Sequence, residues 1–155
     1  MKIAWELLSG RSGHDAGRTL LEKMCLQAIG RMPEIRITPQ GKPFFRDCDL
    51  HFSISHTKRH VFCCLSEQNV GIDAEESDRE IDLRLADRIL SETEKARFQA
   101  ADDKKTALLR LWVLKESYAK LTGRGWGSYL YRTDFRPDDA RIQEIDGCLV
   151  AVLKE

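Results

Sequence analysis

The chain has 155 residues, which is long enough for one domain or for two small halves that share a core, and too short for a large multidomain assembly. Hydrophobic residues make up 42% and charged residues 32%, which is ordinary globular usage and excludes a disordered chain. The 25 basic and 25 acidic residues give a formal net charge of +0, so no overall field attracts nucleic acid or an anionic membrane. We therefore expect recognition of charge to be local, with neither nucleic acid nor a membrane as a partner.

The cysteines and the first residues of the chain predict a cytoplasmic location. The five cysteines contain no C-x-x-C pair and lie mostly in apolar runs, which is typical of reduced core residues. Residues 1–8 include Lys2 and Glu6 instead of the apolar core of a signal peptide. No apolar run approaches the roughly 20 residues that span a bilayer.

The first part of the chain predicts a strand, a helix and further strands. Residues 1–8 predict the strand, and apolar residues at three- and four-residue spacing between Asp15 and Gly30 predict an amphipathic helix. Residues 39–43 form a turn-rich loop. Residues 67–69 predict a short hairpin loop between the last two strands. Strand patterns occur at residues 35–38, 50–55, 60–66 and 70–75.

The second part of the chain predicts helices followed by strands. Residues 82–90 are periodic, Ser91 to Glu94 matches the capping box S/T-x-x-E, and a strongly apolar helix is expected from about Lys104 to Thr122. Asp146-Gly147 has the signature of a two-residue hairpin turn. Strands are predicted at residues 129–135, 141–145 and 148–153. The element order as a whole indicates an α+β architecture.

One strand is a candidate for a metal site. Val70, Ile72 and Ala74 alternate with Gly71, Asp73 and Glu75, so a strand places both carboxylates on one face. Two carboxylates at that spacing can converge on a hard cation, and Gly71 leaves room for a ligand or another backbone. The alternative is a strand end with two solvated acids.

The apolar helix carries charges that need partners. Glu116 and Lys120 are four residues apart and could form an ordinary helical ion pair. In the functional interpretation, Glu116 is a third acidic group for a metal and Lys120 is a cation for a phosphate, because unpaired charges are rarely buried.

Other candidate residues could bind anions or could simply be solvated. Ser55 and His56 end a predicted strand, Lys42 lies in a turn, and Arg18 lies early in the first helix, where a helix N-terminus favours anions. The histidines and cysteines lack zinc spacing, so oxygen ligands favour magnesium. The chain contains no Walker lysine loop, no G-x-G-x-x-G motif opening a helix and no G-x-S-x-G elbow, which gives familiar nucleotide folds and covalent catalysis no support.

Four motifs taken together resemble the Sfp-type 4′-phosphopantetheinyl transferases. In chain order they are Gly41-Lys42-Pro43, Phe52-Ser53-Ile54-Ser55-His56-Thr57, Val70-Gly71-Ile72-Asp73-Ala74-Glu75 and Trp112-Val113-Leu114-Lys115-Glu116-Ser117-Tyr118-Ala119-Lys120. The resemblance covers roughly Asp15 to the C-terminus. It implies two similar α/β halves arranged as a pseudo-dimer, residues 1–68 and residues 69–155, with coenzyme A between them and the metal site on the second half.

The resemblance implies transfer of the phosphopantetheine arm of coenzyme A to a serine of an apo acyl or peptidyl carrier protein, with release of 3′,5′-ADP. It assigns Mg²⁺ to Asp73, Glu75 and Glu116. It places Lys120 near the reacting phosphate, in a catalytic role. Because the carrier serine must lose its proton as it attacks, Glu116 is also a candidate catalytic base, directly or through a metal-bound water, and its main role as metal ligand or as base stays open. It assigns coenzyme A contacts to Arg18, Lys42, Ser55, His56 and Lys115.

This sequence departs from the family pattern at one place, and other functions stay open. Only residues 9–14 separate the first strand from the helix, where family members usually carry a further basic helical segment that helps to hold the 3′-phosphate of coenzyme A. Residues 79–110 would flank the cleft, and their basic groups could meet an acidic helix of the carrier. Acids are nearly as numerous there, so a mixed, solvated helix surface is the alternative. The alternatives are another Mg²⁺-dependent enzyme that cleaves pyrophosphate, and a module that binds coenzyme A or a carrier protein without turnover.

Overall fold

The computed structural model describes the backbone of residues 1–155 and the side chains of residues 1–127 and 129–155. The first half contains β1 (Lys2–Leu7), α1 (Gly13–Ile29), β2 (Ile35–Ile37), β3 (Pro43–Phe45), β4 (His51–His56) and β5 (His60–Ser66). The second contains β6 (Val70–Glu76), a 3₁₀ turn (Leu83–Leu85), α2 (Ala86–Ile89), α3 (Glu92–Ala100), α4 (Lys104–Thr122), a second 3₁₀ turn (Ser128–Arg132), β7 (Ile142–Ile145) and β8 (Cys148–Lys154). No helix in the described chain has the length and apolarity needed to cross a membrane.

The strands form three antiparallel sheets, with the orders β1-β5-β4, β2-β3 and β6-β8-β7. The predicted hairpin between β5 and β6 is wrong, because these strands belong to different sheets. Residues 67–69 instead carry the chain from one sheet to the next. Phe62 and Cys64 of β5 pack against Ile72 and Ala74 of β6, so the two sheets meet face to face.

The core forms four layers in the order α1, sheet, sheet, α4. Leu21 and Cys25 of α1 pack on the outer face of β5, and the inner face of β5 meets β6 and β8. On the far side, leucines of α4 pack against Leu149 and Leu153 of β8. Because successive strand residues point to opposite faces, the face of β6 that carries Gly71, Asp73 and Glu75 is directed toward α4.

Local signals predicted α3 and α4 well. Ser91 and Glu94 form the predicted capping box at the start of α3. The α4 helix has the predicted bounds, with Asp103 accepting a hydrogen bond from the Thr106 amide at 3.0 Å and Gly123 in the left-handed conformation at its end (φ 67°).

Three other predictions differ from the structure. Residues 82–90 form a 3₁₀ turn and the four-residue helix α2 instead of one helix. The strand expected at 129–135 is a 3₁₀ turn followed by irregular chain. The Leu130 carbonyl accepts a hydrogen bond from the buried Lys115 ammonium at 2.6 Å and therefore does not pair with a neighbouring strand. The loop at 39–43 leads into the unpredicted strand β3, which pairs only with β2.

Gly71 allows α4 to approach β6 closely. A Cβ atom at Gly71 would lie 2.1 Å from the Ser117 carbonyl oxygen and 2.5 Å from the Leu121 amide nitrogen. The Ser117 hydroxyl donates to the Gly71 carbonyl at 2.8 Å. The room expected at Gly71 is thus filled by another backbone, and the contact brings the carboxylates of β6 beside the charged residues of α4.

Serine hydroxyls of β4 join the two sheets. Since β6 is an edge strand, its outward amides need acceptors. The Ser53 hydroxyl accepts from the Ile72 amide at 3.1 Å, and the Ser55 hydroxyl accepts from the Ala74 amide at 3.2 Å. These bonds fix β4 of one sheet against β6 of the other beside Asp73.

Candidate functional site

Two surface depressions are lined by residues that neighbour Asp73, Lys120 in the first and Glu75 in the second. The first, which we call the Lys120 cleft, has a volume of about 270 Å³ and is lined by both halves, including Lys42, Ile54, Glu116, Lys120 and Trp126. The second, the Glu75 groove, has a volume of about 660 Å³ and is lined by residues that include His56, Lys58, Glu75, Asp78 and Arg79.

Asp73 is buried between α4 and β4. Its Oδ1 accepts from the Lys120 ammonium at 2.7 Å and from the Ser55 hydroxyl at 2.9 Å. Its Oδ2 is buried and has no hydrogen-bond partner among the described residues. Because a buried carboxylate oxygen without a donor is unfavourable, this atom is suited to a cation that the protein itself does not supply.

The acids Glu75 and Glu116 lie close enough to Asp73 to feel its charge. Burial raises the pKa of Glu116, the charge of Asp73 raises it further, and the Trp126 indole partly opposes both. Burial also raises the pKa of Glu75, with a further contribution from Asp73 that Arg79 counteracts. The three predicted acids therefore share one electrostatic environment, and it is unfavourable to their joint ionisation.

Each of these acids has one oxygen held by the protein. Glu116 Oε1 accepts from the Trp126 indole at 2.5 Å, and Glu75 Oε1 accepts from the Trp112 indole at 3.0 Å and from Arg79. Within the described side chains, the second oxygen of each carboxylate receives no hydrogen bond from the protein. Among the residues that the structure describes, however, no three Asp, Glu, His or Cys side chains lie close enough together to bind a metal by themselves.

The predicted phosphate ligands occupy different positions. Ser55 has its hydroxyl committed to Asp73 and the Ala74 amide, so it orients the acid. His56 is exposed and lines the Glu75 groove. Its ring packs against Gly13, where an added Cβ atom would lie 2.4 Å from the Cγ atom of the imidazole. Arg18 is exposed on α1.

Lys42 lies in the wall of the Lys120 cleft, but its ammonium is engaged. It donates to the Asn69 side chain and to the Leu121 carbonyl, each at 2.6 Å, and thereby caps the end of α4. Burial lowers the pKa of Lys42. Its aliphatic chain packs on Gly123, so Lys42 fixes the loop that follows α4 as well as lining the cleft.

Lys115 does not reach the cleft, so the expected contact with coenzyme A is replaced by a structural role. Its side chain is 0% exposed and pairs with the equally buried Glu94 at 2.8 Å. Glu94 also accepts from the amides of Ser91 and Phe135, at 2.8 and 2.9 Å. This network ties α3 and the chain after α4 to the helix that carries Glu116.

Sequence reasoning assigned no role to Trp112, Trp126 or Arg79. Trp112 is the first residue of the W-x-x-K-E-S motif that contains Glu116, and this shared motif could have indicated that Trp112 belongs to the site. No local pattern in the sequence marks Trp126, which reaches Glu116 only because the loop after α4 folds back.

The combination of a buried Asp73, two partly buried acids, a lysine paired with Asp73 and a cleft between β4 and α4 suits chemistry on a phosphate ester or anhydride. The family model described as the 4′-phosphopantetheinyl transferase superfamily matches residues 69–149. The chain belongs to this superfamily, as its motifs predicted.

Named relatives agree with this assignment. The 4′-phosphopantetheinyl transferase gsp of Aneurinibacillus migulanus is 37% identical over 114 residues, which cover 70% of this chain and 47% of that protein. The 4′-phosphopantetheinyl transferase Sfp of Bacillus subtilis (strain 168) is 39% identical over 122 residues, covering 72% and 54%. The 4′-phosphopantetheinyl transferase psf-1 of Bacillus pumilus is 34% identical over 124 residues, covering 72% and 52%. The chain spans about half the length of these curated relatives.

Proposed function

We propose that this chain transfers the 4′-phosphopantetheine arm of coenzyme A to a serine of an apo acyl or peptidyl carrier protein and releases 3′,5′-ADP. The observation that carries the proposal is the arrangement around Asp73, where Glu116 and Lys120 line one cleft and a buried carboxylate oxygen has no hydrogen-bond partner among the described residues. Membership of the superfamily and the names of the relatives support the reaction class.

Asp73, Glu116 and Glu75 are the residues that would hold a magnesium ion. The fit rests on the Oδ2 of Asp73, which no described group hydrogen-bonds, and on the second oxygens of Glu75 and Glu116, since carboxylate oxygens are the protein ligands that Mg²⁺ prefers. A bound magnesium ion supplies positive charge that neutralises the pyrophosphate of coenzyme A. These carboxylates would supply only part of the oxygen ligands that such an ion takes.

Lys120 is the residue that orients the phosphate. Its ammonium lies at 2.7 Å from Asp73 and 3.4 Å from the Ile54 carbonyl, and its side chain is 32% exposed. An ammonium has three donors, so Lys120 can keep its bond to Asp73 while donating to a phosphate oxygen in the cleft. His56 and Arg18, both exposed, are proposed to contact the charged nucleotide end of coenzyme A.

Glu116 is the proposed general base. The serine oxygen forms a bond to the β-phosphorus, the bond from that phosphorus to the bridging oxygen breaks, and 3′,5′-ADP leaves with the electron pair. The serine proton passes to Glu116. Burial raises the pKa of this carboxyl group, and the charge of Asp73 acts in the same direction.

We also propose that residues 1–68 and 69–155 are pseudosymmetric halves. In each three-stranded sheet the last strand of the half is central, flanked by the first and the penultimate strands. In each half one long helix packs on the outer face of its sheet, α1 in the first and α4 in the second. The Lys120 cleft is lined by residues of both halves, as expected if the substrate lies between them.

Intact mass spectrometry of carrier proteins tests the function. The protein is mixed with coenzyme A, Mg²⁺ and several apo carriers, and the expected result is a gain of one phosphopantetheine arm on at least one carrier. We expect Asp73→Asn and Glu116→Gln each to slow transfer by about 10²- to 10³-fold. Asp102→Asn is the matched control, because Asp102 is an exposed carboxylate between α3 and α4.

Three results would contradict the proposal. Near-normal transfer by Asp73→Asn or Glu116→Gln would remove those residues from the reaction. A wild-type protein that binds coenzyme A but modifies no carrier would instead be a binding module. Cleavage of coenzyme A without any carrier would identify a phosphohydrolase.

A further inference from the structure

Two tryptophan side chains support two of the site acids in the same way. The Trp112 indole of α4 donates to Glu75 at 3.0 Å, and the Trp126 indole of the following loop donates to Glu116 at 2.5 Å. The two rings stack on each other, with centroids 5.0 Å apart and an angle of 26° between their planes. The stack therefore links the two acids, which come from β6 and α4, through one rigid aromatic unit.

Contacts on both sides hold the stack in place. The Arg79 guanidinium lies 5.7 Å from the centroid of the Trp112 ring and also binds Glu75. On the Trp126 side, Gly125 adopts a left-handed conformation (φ 65°), and the Tyr129 hydroxyl donates to its carbonyl oxygen. Trp126 is thus a large, 42% exposed ring whose position is set by stacking and by a constrained loop.

We propose that Trp126 is a positioning residue that holds Glu116 with one oxygen bound to the indole and the other directed to the reaction. This inference rests on the proposed function. A glutamate side chain has three rotatable torsions, so an unheld Glu116 would sample orientations in which neither oxygen serves a cation or a serine proton. An indole can only donate, so it selects the carboxylate oxygen as its partner and leaves the second oxygen available.

The size of the effect follows from the role of such supporting hydrogen bonds. Removing an outer partner of a metal-binding carboxylate typically lowers metal affinity or activity by about 10- to 100-fold. The ring of Trp126 adds a second contribution, because its stacking on Trp112 limits the movement of the loop. Replacing Trp126 by phenylalanine removes the N–H donor and keeps an aromatic ring, so it isolates the hydrogen bond.

The test compares Trp126→Phe with Trp5→Phe. Trp5 is a 40% exposed tryptophan of β1 that packs on His60 and Phe62, so its replacement is the same chemical change at a place outside both depressions. Mn²⁺ serves as the metal probe, and its affinity is measured by calorimetry on the full chain in the presence of coenzyme A. We expect Trp126→Phe to weaken Mn²⁺ binding by about 10- to 100-fold, while Trp5→Phe leaves it unchanged.

Steady-state kinetics give a second readout. Because Trp126 acts through Glu116, we expect kcat to fall in Trp126→Phe while KM for the carrier stays within about twofold. The melting temperature and the near-ultraviolet circular dichroism report whether the fold and the ring stack persist in the variant. Trp112→Phe provides an independent variant, in which the donor to Glu75 is lost from the middle of a helix and the loop sequence is intact.

The outcomes separate the two proposals. Wild-type Mn²⁺ affinity and wild-type kcat in a folded Trp126→Phe protein would overturn the positioning role, as would a wild-type protein that binds no Mn²⁺. If the wild-type protein modifies no carrier but Trp126→Phe still weakens Mn²⁺ binding, the proposed transfer fails and the positioning role of Trp126 toward a metal stands.

Discussion

Replacing Gly71 by alanine tests the contact on which the whole site depends. The added methyl group would lie 2.1 Å from the Ser117 carbonyl oxygen and 2.5 Å from the Leu121 amide nitrogen. Both are backbone atoms of α4, so no side-chain rotation relieves the clash. The helix must move away from β6, and it carries Glu116 and Lys120 with it.

The magnitude follows from these distances. Ordinary van der Waals contact begins at about 3.4 Å, so α4 must shift by roughly 1 Å. Overpacking of this kind costs about 1–3 kcal/mol, which lowers the melting temperature of a domain of this size by about 2–12 °C. A displacement of about 1 Å between reacting groups costs about 10²-fold in rate. We therefore expect a folded, moderately destabilised protein with a disproportionate loss of transfer.

Thermal unfolding and carrier modification are measured on the same preparations. Gly127→Ala is the control, because Gly127 has a φ of −167° and a methyl group there meets the Tyr129 ring at an ordinary 3.4 Å. A Gly71→Ala protein with the melting temperature and the transfer rate of the wild type would refute the reasoning, since it would mean that α4 can absorb the methyl group without moving its charged residues.

Two further predictions concern the buried core. Lys115→Met leaves the Glu94 carboxylate buried without its cation, so we expect the free energy of unfolding, measured with denaturant, to fall by about 3–5 kcal/mol. The double variant with Glu94→Leu should recover much of this loss. A double variant as unstable as the single one would contradict this account. Burial raises the pKa of three thiols to about 11, against 9.0 for a free thiol, so the unfolded chain ionises first and stability should fall as pH rises from about 9 to 11. These thiols are Cys25, Cys64 and Cys148. Cys64→Ala should make this decrease in stability shallower, and an unchanged pH profile would argue against burial of the Cys64 thiol. Iodoacetamide at pH 8 should label the partly exposed Cys48 before the buried thiols. Uniform labelling of all five cysteines would argue against the burial of the other four.

The free carboxylate oxygens at the site have a common explanation. Asp73, Glu75 and Glu116 each have one oxygen bound by protein donors, whereas the second oxygen receives none from the described residues. The bound oxygen fixes the orientation of each carboxylate before any ligand arrives. Preorganisation of this kind lowers the cost of binding a cation, because fewer side-chain torsions have to be ordered at that moment.

Some sequence predictions succeeded because their physical causes are local. The bounds of α4 follow from the Asp103 cap and the left-handed Gly123, which depend only on nearby backbone. Asp73 and Glu75 share a face because strand residues alternate, whatever the strand packs against. The motifs likewise identified the superfamily from residues that are contiguous in sequence.

Other predictions failed because long-range packing decides between arrangements that look identical locally. Residues 67–69 form a short connection whether the flanking strands pair or cross to a stacked sheet, and the burial of both faces of β5 and β6 selected the crossing. Lys115 and Glu116 are adjacent in one helix, so the sequence does not say which of them turns inward. Glu94, 21 residues earlier, decides that Lys115 does.

The sequence by itself therefore determined the helices with clear caps, the alternation that puts two acids on one side of a strand, and the superfamily to which the motifs belong. The tertiary structure decided which charged groups meet. Glu116 and Lys120 stand beside Asp73 because Gly71 lets α4 lie against β6, and Trp126 reaches Glu116 because the loop after α4 is constrained by its glycine and by Tyr129. Such contacts arise only when separate elements pack together, because the atoms involved are distant in sequence and are brought together only in the folded state.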